Sequence, residues 1–394
     1  LQQLLAIMAA TLLVPVLVNN NTNSTYMNQP AALLGAGCGT LFYILMTKGK
    51  SPVFLGSSFA FIAPLGGAVA FGHLGIFLGA VFAGLVYVLL AVIIKFTGSK
   101  WVNKLLPPVV IGPTVALIGL SLCGSAVNNM ANLNGDYMFA VLKEGFTDPI
   151  TAENIAKATT LGSYTGYNLW HILVAVIAFF ITVYASTKGT KGMKLIPFVI
   201  GIISAYAIAC VLTLIGMWTN YEAIQMIDFA KHFGNVQIFE LPKFTFLGMF
   251  EEGTAKIKDF SAVIEIFMLF APVALVVLAE HIADHKNLSS IIDRDLITEP
   301  GLHRTLIGDG VGSMIGSFFG GCPNTTYGES VGCVAITGNA SISTIVIAAL
   351  YCIVLAFFGP FTAFVNSIPT CITGGVCIAL YGFIAVSGLK MVQK

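Results

Sequence analysis

The sequence predicts an all-α polytopic membrane protein, and three observations predict it. Of 394 residues, 57% are hydrophobic and only 9% charged, where a soluble domain carries about 25% charged residues. The apolar residues gather into twelve runs, each near the roughly 20 residues an α-helix needs to cross a bilayer. Two of these runs are interrupted by Gly, Ser, Thr and Pro at matching places in the two halves of the chain, the expected signature of a transporter built from repeats.

In chain order the spans are expected at 2–18, 30–47, 52–70, 74–96, 106–127, 169–186, 195–218, 262–285, 303–320, 322–338, 341–366 and 371–391. The third and tenth are the interrupted ones. Irregular backbone at membrane depth is tolerated only where protein buries it or a cavity borders it, so these two mark where a ligand would sit. Orientation follows from the basic residues of alternate loops. Lys48, Lys50, Lys95, Lys100, Lys104, Lys188, Lys191, Lys194, Lys286, Arg294, Arg304, Lys390 and Lys394 fall on one side. Only Lys143, Lys157, Lys231, Lys243, Lys256 and Lys258 fall on the other, and Asn19 to Gln29 carries no charge. Thirteen against six puts the N-terminus in the cytoplasm. The polar segments 128–168 and 219–261 then face outward as lids or connectors.

A weak internal repeat sets Gly56-Ser57-Ser58-Phe59-Ala60 in span three against Asn324-Thr325-Thr326-Tyr327-Gly328 in span ten. A second echo joins Pro107-Pro108, Gly112 and Gly119 to Pro369, Gly374 and Gly382. A repeat of seven spans, an odd number, inverts its second copy across the membrane. On that count the fold has fourteen spans, and the chain is expected to stop two short. It opens at Leu1 without methionine or a cleavable signal peptide, so it is expected to begin inside a longer product.

The net charge of +1 offers no basic patch, so nucleic acid is not expected as a partner. The eight cysteines lie in or beside apolar runs without a Cys-x-x-Cys pair and read as small buried hydrophobes. No cofactor is implied.

The acidic residues carry the clue to function. Glu265, Glu280, Asp284, Asp309 and Glu329 lie in spans or at their edges, together with His281 and His285. An ionised carboxylate at bilayer depth costs about 2.5 to 3.5 kcal/mol on insertion scales, so an acid there faces a cavity, finds a partner or carries a proton. Glu265 lies fifteen residues before Glu280, about 22 Å along a helix, and reads as interfacial. Glu280 and Asp284 share one helical face, and His281 with His285 the neighbouring one. His281-Ile282-Ala283-Asp284-His285 inverts a zinc-protease motif, but Asp replaces its Glu and no third ligand stands out, so no metal is expected. Two carboxyl groups on one dry cleft share protons through burial and like-charge repulsion. They accept hydrogen bonds, and free N–H groups of broken helices donate them, which suits the edge of a planar lactam better than a small anion. Phe59 and Tyr327, one from each half, offer apolar surface for a flat ring.

At these residues the chain resembles the nucleobase-ascorbate transporter family, most closely its bacterial uracil:proton symporters. The likeness is carried by Leu13-Val14-Pro15-Val16-Leu17, Leu55-Gly56-Ser57-Ser58-Phe59-Ala60-Phe61, Ala279-Glu280-His281, Pro300-Gly301-Leu302-His303-Arg304 and Pro323-Asn324-Thr325-Thr326-Tyr327-Gly328-Glu329. The resemblance implies two inverted seven-span repeats with short antiparallel strands in spans three and ten. It divides the chain into a core domain, 1–96 and 259–366, and a gate domain, 97–258 and 367–394. By position it makes Glu280 and Glu329 the side chains that bind uracil, with backbone at Phe59 and Gly328. Ala10 and Tyr327 would border the pocket, with Tyr381 approaching from the gate. Glu280, His281, Asp284 and Asp309 are the expected proton-coupling residues, and pairing as a homodimer through the gate is implied as well.

Three departures stand out. Gln2-Gln3 replaces the family's Gln-His pair, Ser330 stands in the place of its signature Asn, and Asp at 284 and 309 also resembles purine members. Glu329 resembles the uracil branch, where the xanthine branch has Gln. The expected function is proton-coupled uracil uptake across the inner membrane. Its rivals are a xanthine or uric acid permease of the same fold, an anion exchanger or channel, and an intramembrane metalloprotease.

Overall fold

The computed structural model describes residues 2–22, 24–105, 107–131, 136–142, 159–165, 168–249, 256–257 and 259–392. Lys143, Lys157, Lys258 and Lys394 of the charge count, and most of the connector 128–168, lie outside the described residues. The first half runs α1 (Gln2–Thr22), α2 (Gln29–Met46), β1 (Leu55–Ser57), a 3₁₀ turn (Phe59–Phe61), α3 (Ile62–Ala68), α4 (Gly72–Thr97), α5 (Lys100–Leu105), α6 (Pro108–Ser121) and α7 (Cys123–Ala131). Next come β2 (Asp136–Leu142) and β3 (Thr159–Thr165), paired antiparallel, then α8 (Leu169–Thr187), α9 (Lys191–Leu195), α10 (Pro197–Thr219), α11 (Phe229–Phe233) and α12 (Thr245–Gly248). The chain continues with α13 (Phe260–Ile292), α14 (Leu302–Phe319), β4 (Asn324–Thr326), α15 (Gly328–Thr337), α16 (Ile342–Ala356), α17 (Gly359–Asn366) and α18 (Thr370–Val392).

Local chemistry sets many of the boundaries. Asn28 starts α2 by accepting a hydrogen bond from the Ala31 amide at 2.9 Å, with Pro30 in the first turn, where its missing N–H costs nothing. Asn168 caps α8 in the same way, through the Trp170 amide at 3.0 Å. α14 and α15 end at Gly320 and Gly338, both left-handed, a conformation glycine adopts without strain.

Among the described residues, eight helical stretches are long and apolar enough to cross a membrane. They comprise α1, α2, a kinked stretch over Phe59–Thr97, a stretch over Val109–Ala131, α8, α10, α13 and a stretch over Thr370–Lys390. The chain is therefore mostly helical and passes the membrane several times. Four of the twelve expected spans do not meet that standard, and each departs for a physical reason. Spans three and ten begin as strands. β1 and β4 pair antiparallel, Leu55 opposite Thr326, Gly56 opposite Thr325 and Ser57 opposite Asn324, so two extended segments satisfy each other's backbone where no helix does. Span nine is α14, too polar by composition, but wedged between α2 and α4. There Gly84 and Gly310 face each other so closely that an added Cβ on Gly310 would meet the Gly84 carbonyl at 2.8 Å, the small-residue contact that lets membrane helices approach. Span eleven, expected as one helix over 341–366, breaks into α16 and α17. At the break, the Phe357 carbonyl accepts from the Glu240 amide at 3.0 Å and the Gly359 amide donates to the Ile238 carbonyl at 3.1 Å, so the 237–240 connector takes over the ladder.

The helices pack in two groups. α2, α4, α13, α14 and α16 pack together around the paired strands, while α6, α7, α8, α10 and α18 pack with one another. α1 lies against the first group and touches α10 of the second. All eight cysteines are free, five of them buried.

Candidate functional site

Each short strand runs straight into a helix start. After β1, Ser58 donates its amide to the Pro323 carbonyl at 2.9 Å, and the 3₁₀ turn begins at Phe59. After β4, Tyr327 leads into α15, whose first turn holds Gly328 and Glu329. The first amides of a helix have no intrahelical partner and make a ready site for an electron-rich group. Two positions hold the crossing. Tyr327 donates its hydroxyl to the Ser57 carbonyl at 2.6 Å, and Gly56 lies so tightly against the Tyr327 ring that a Cβ there would overlap it and come within 2.7 Å of the Thr11 hydroxyl.

Against this crossing lies a cavity of about 370 Å³. Its acidic wall is Glu280 and Asp284, one turn apart on α13, with Glu329 of α15; Phe59, Tyr327 and Gly328 complete that end. Asp284 accepts from the Thr326 hydroxyl at 2.9 Å, which ties α13 to β4. The cavity extends past Ala283 and Asn287 to Ser186, Lys194 and Ser387, on α8, α9 and α18 toward the lysine-rich side. A second cavity, about 280 Å³, lies between α1, α10, α17 and α18 near Asn19, Asn20 and Asn28. The wall as built accepts hydrogen bonds through carboxylates and donates them through helix-start amides, the pattern that reads a planar ring with alternating N–H and C=O groups.

The structure thus brings together Glu280, Asp284, Glu329, Phe59, Tyr327 and Gly328. It sets the other candidates behind the wall. Ala10 is fully buried in α1, and Ala6, a turn earlier, borders the cavity instead. Tyr381 is buried and meets Phe59 edge-on, ring centroids 5.7 Å apart. His281 and Asp309 are fully buried and face each other at 2.6 Å, Nδ1 to Oδ2. Glu265 is exposed and lies away from the cavity wall. The two departing positions, Gln3 and Ser330, meet. Ser330 donates to the Gln3 side-chain oxygen at 3.1 Å, Gln3 donates to the Ser330 carbonyl at 3.3 Å, and the Phe54 amide donates to the Ser330 hydroxyl at 3.2 Å. Each replacement therefore finds its partner in the other.

Sequence reasoning missed Asn287, Ser186, Lys194 and Ser387 as wall residues. Asn287 is three residues after Asp284, on the same helical face, and that spacing was a usable signal. Ser186 and Ser387 come from α8 and α18 of the second group and Lys194 from the short α9, and no local pattern tells which helix ends meet.

The family model described as "Permease family" matches residues 1–152 and 146–394. The uracil permease of Bacillus caldolyticus is 39% identical over 392 residues, covering 99% of this chain and 78% of that protein. The uracil permease of Bacillus subtilis (strain 168) is 37% identical over 394 residues, at 99% and 78% coverage. That of Escherichia coli (strain K12) is 33% identical over 397 residues, at 99% and 77%. Among solved structures, the transmembrane domain of a cyanobacterial bicarbonate transporter, BicA, superposes with a TM-score of 0.62, covering 99% of this chain and 92% of that one at 14% identity. SLC26A9 gives 0.55 with 98% and 57% coverage, also at 14% identity. These two show a shared fold and no more. From the match along its whole length and from relatives named as permeases, the chain belongs to the permease family that includes these uracil permeases, a family of transporters and not of enzymes.

Proposed function

We propose that the chain carries uracil with a proton across the cell inner membrane by alternating access. The observation that carries this reading is the convergence of Glu280, Asp284 and Glu329 on one cavity beneath the paired strands. The substrate follows from relatives named uracil permease. In this reading Glu280 and Glu329 accept the ring N–H groups of uracil, and the amides at Phe59 and Gly328 donate to its carbonyls. Phe59 and Tyr327 bracket the ring, Tyr381 backs Phe59 from the gate, and Ala10 supports the pocket from behind. Glu280 is the main proton-linked acid, with Asp284 beside it and the His281–Asp309 pair behind.

The core, 1–96 and 259–366, would move against the gate, 97–258 and 367–394. The two packed groups of helices support that division, and so do the two cavities at their junction. The lysine count supports a cytoplasmic N-terminus, and the acid-walled cavity then faces inward. The matching broken spans support two inverted repeats. Pairing of two chains through the gate rests on the family resemblance alone.

Asp284 on the cavity wall favours one other reading, a purine permease of the same fold. An anion exchanger fits less well, because three carboxylates on one wall repel an anion. Labelled uracil uptake into proteoliposomes, measured with and without an inward proton gradient and with xanthine as competitor, decides. Uptake driven by the gradient and indifferent to xanthine supports the proposal. Uptake blind to the gradient removes proton coupling, and xanthine competing on equal terms moves the substrate to the purines.

A further inference from the structure

Behind the cavity wall, a second polar cluster is sealed in the first group of helices. His281 and His285 lie one turn apart on α13, fully buried, with rings stacked at 4.1 Å between centroids and 29° between planes. Two imidazolium ions in that arrangement would repel strongly, so the stack holds at most one positive charge. The hydrogen-bond partners decide which ring can take it.

His285 Nδ1 lies 2.8 Å from the His281 carbonyl, which only accepts, so Nδ1 carries a hydrogen. His285 Nε2 lies 2.7 Å from the Tyr43 hydroxyl, and that oxygen 2.8 Å from the Ser51 hydroxyl. With Ser51 donating to Tyr43 and Tyr43 donating to Nε2, every hydrogen in the chain is used once and His285 is neutral. Charging it would turn the Tyr43 hydrogen away toward Ser51 and send the Ser51 hydrogen in search of another acceptor.

His281 is set differently. Its Nε2 lies 3.0 Å from the Thr305 hydroxyl, which donates to the Leu302 carbonyl at 3.0 Å, so Nε2–H donates to Thr305. One further proton fits on the 2.6 Å line between Nδ1 and Asp309 Oδ2. Other titratable groups face the stack. Tyr87 comes edge-on from α4 at 6.2 Å between centroids. Glu280 and Asp284 of α13 turn to the cavity with Glu329 of α15. None of these is bonded to either imidazole.

We propose that Tyr43 is a positioning residue: acting through His285, it keeps the ring stacked on His281 uncharged, so that the exchangeable proton stays on the His281–Asp309 pair. The inference rests on the proton-coupled reading and extends it to residues that do not touch the cavity. Removing the Tyr43 hydroxyl frees the His285 Nε2 lone pair. His285 then competes for the proton, and its charge opposes loading of the neighbouring pair.

The test uses the full chain in proteoliposomes, with uracil uptake measured across a pH series under an imposed proton gradient. In Tyr43→Phe the profile should move to lower pH by roughly half to one unit, the size of one lost hydrogen bond, with KM for uracil unchanged at the acid plateau. His285→Gln keeps a donor and an acceptor but cannot take a charge, so adding Tyr43→Phe to it should leave the profile where His285→Gln alone puts it. A merely structural role for Tyr43 would not be cancelled this way. An unmoved profile in Tyr43→Phe, or a shift that persists in the Gln background, overturns the proposal. Where a variant does not transport, the infrared carboxyl band that Asp309→Asn abolishes reports the same shift, and its absence is equally decisive. If wild-type uptake ignores the gradient, the proton-coupled reading fails on its own, and the infrared titration still tests the role of Tyr43.

Discussion

The two broken elements share a design and divide the chemistry. The first, Leu55 to Phe61, is a three-residue strand entering a 3₁₀ turn, and it carries no ionisable side chain. The second, Asn324 to Glu329, is a three-residue strand entering α15, and it supplies Glu329 and, through Thr326, the hydroxyl that holds Asp284. Backbone pairing is mutual, but the charge lies on one side only. A carboxylate in a membrane interior is costly, and like charges facing each other cost more. Acids on both elements would face each other across the crossing. Keeping the first element neutral leaves one acidic wall and one apolar wall, which is what a flat, hydrogen-bonding ring requires. In the proposed reading the first half acts mainly as scaffold and the second half, through its carboxylates, as the reader.

The sharpest way to break this comparison is to neutralise the reader. Glu329→Gln keeps shape and one acceptor but replaces the other with a donor, at a site where a hydrogen bond to a charged group is worth about 1.5 to 3 kcal/mol. Uracil affinity should fall on the order of 10- to 100-fold by equilibrium binding, with protein yield unchanged. Retained affinity would falsify the assignment of Glu329.

Disturbing the scaffold should act through folding. Gly56→Ala drives a Cβ into the Tyr327 ring with the Thr11 hydroxyl 2.7 Å away, and overpacking of this kind costs about 1 to 3 kcal/mol. A lower melting temperature in detergent is expected, and whatever folded protein remains should bind uracil weakly because Tyr327 has been pushed aside. A variant as stable as the parent would show that the crossing is looser than its geometry implies.

How much of this was legible in the sequence depends on the kind of signal. The acids stood out because carboxylates are rare in apolar runs, and helical spacing alone put Glu280 with Asp284 and His281 with His285. The interrupted runs marked the two broken elements. The break in span eleven did not show, because it is made by the 237–240 connector more than a hundred residues away. α14 earns its place by packing on both faces and not by its own hydropathy. Ala10 illustrates a finer limit: motif position put it at the pocket, but one helical turn decides whether a residue borders a cavity or hides behind it. The link between Gln3 and Ser330 spans 327 residues, beyond any local pattern.

A milder change probes the link between the two halves without overpacking it. Tyr327→Phe removes the hydroxyl that bonds Ser57 at 2.6 Å, a loss of about 0.5 to 1.5 kcal/mol, while keeping the ring against Gly56. Affinity for uracil should drop only a few-fold, less than in Glu329→Gln. An equal or larger loss would mean that the hydroxyl itself meets the substrate, and the reader would then have a second polar member.

The smallest effect is expected far from both elements, at the surface pair of Lys50 and Glu299. The hydrogen bond from Lys50, together with its charge, holds the exposed Glu299 carboxyl below the usual carboxylate range. A carboxyl lowered in the folded state contributes stability above its unfolded value, and that contribution disappears as pH falls through the folded value. Exposed ion pairs contribute little because water and salt screen them. Glu299→Gln should therefore leave uracil binding unchanged and lower the melting temperature slightly at neutral pH, with the difference gone in acid. A clear loss of binding in this variant would mean that Lys50, joined to β1 by the four residues Ser51 to Phe54, transmits strain into the scaffold, and the neutral half would then do more than hold the reader in place.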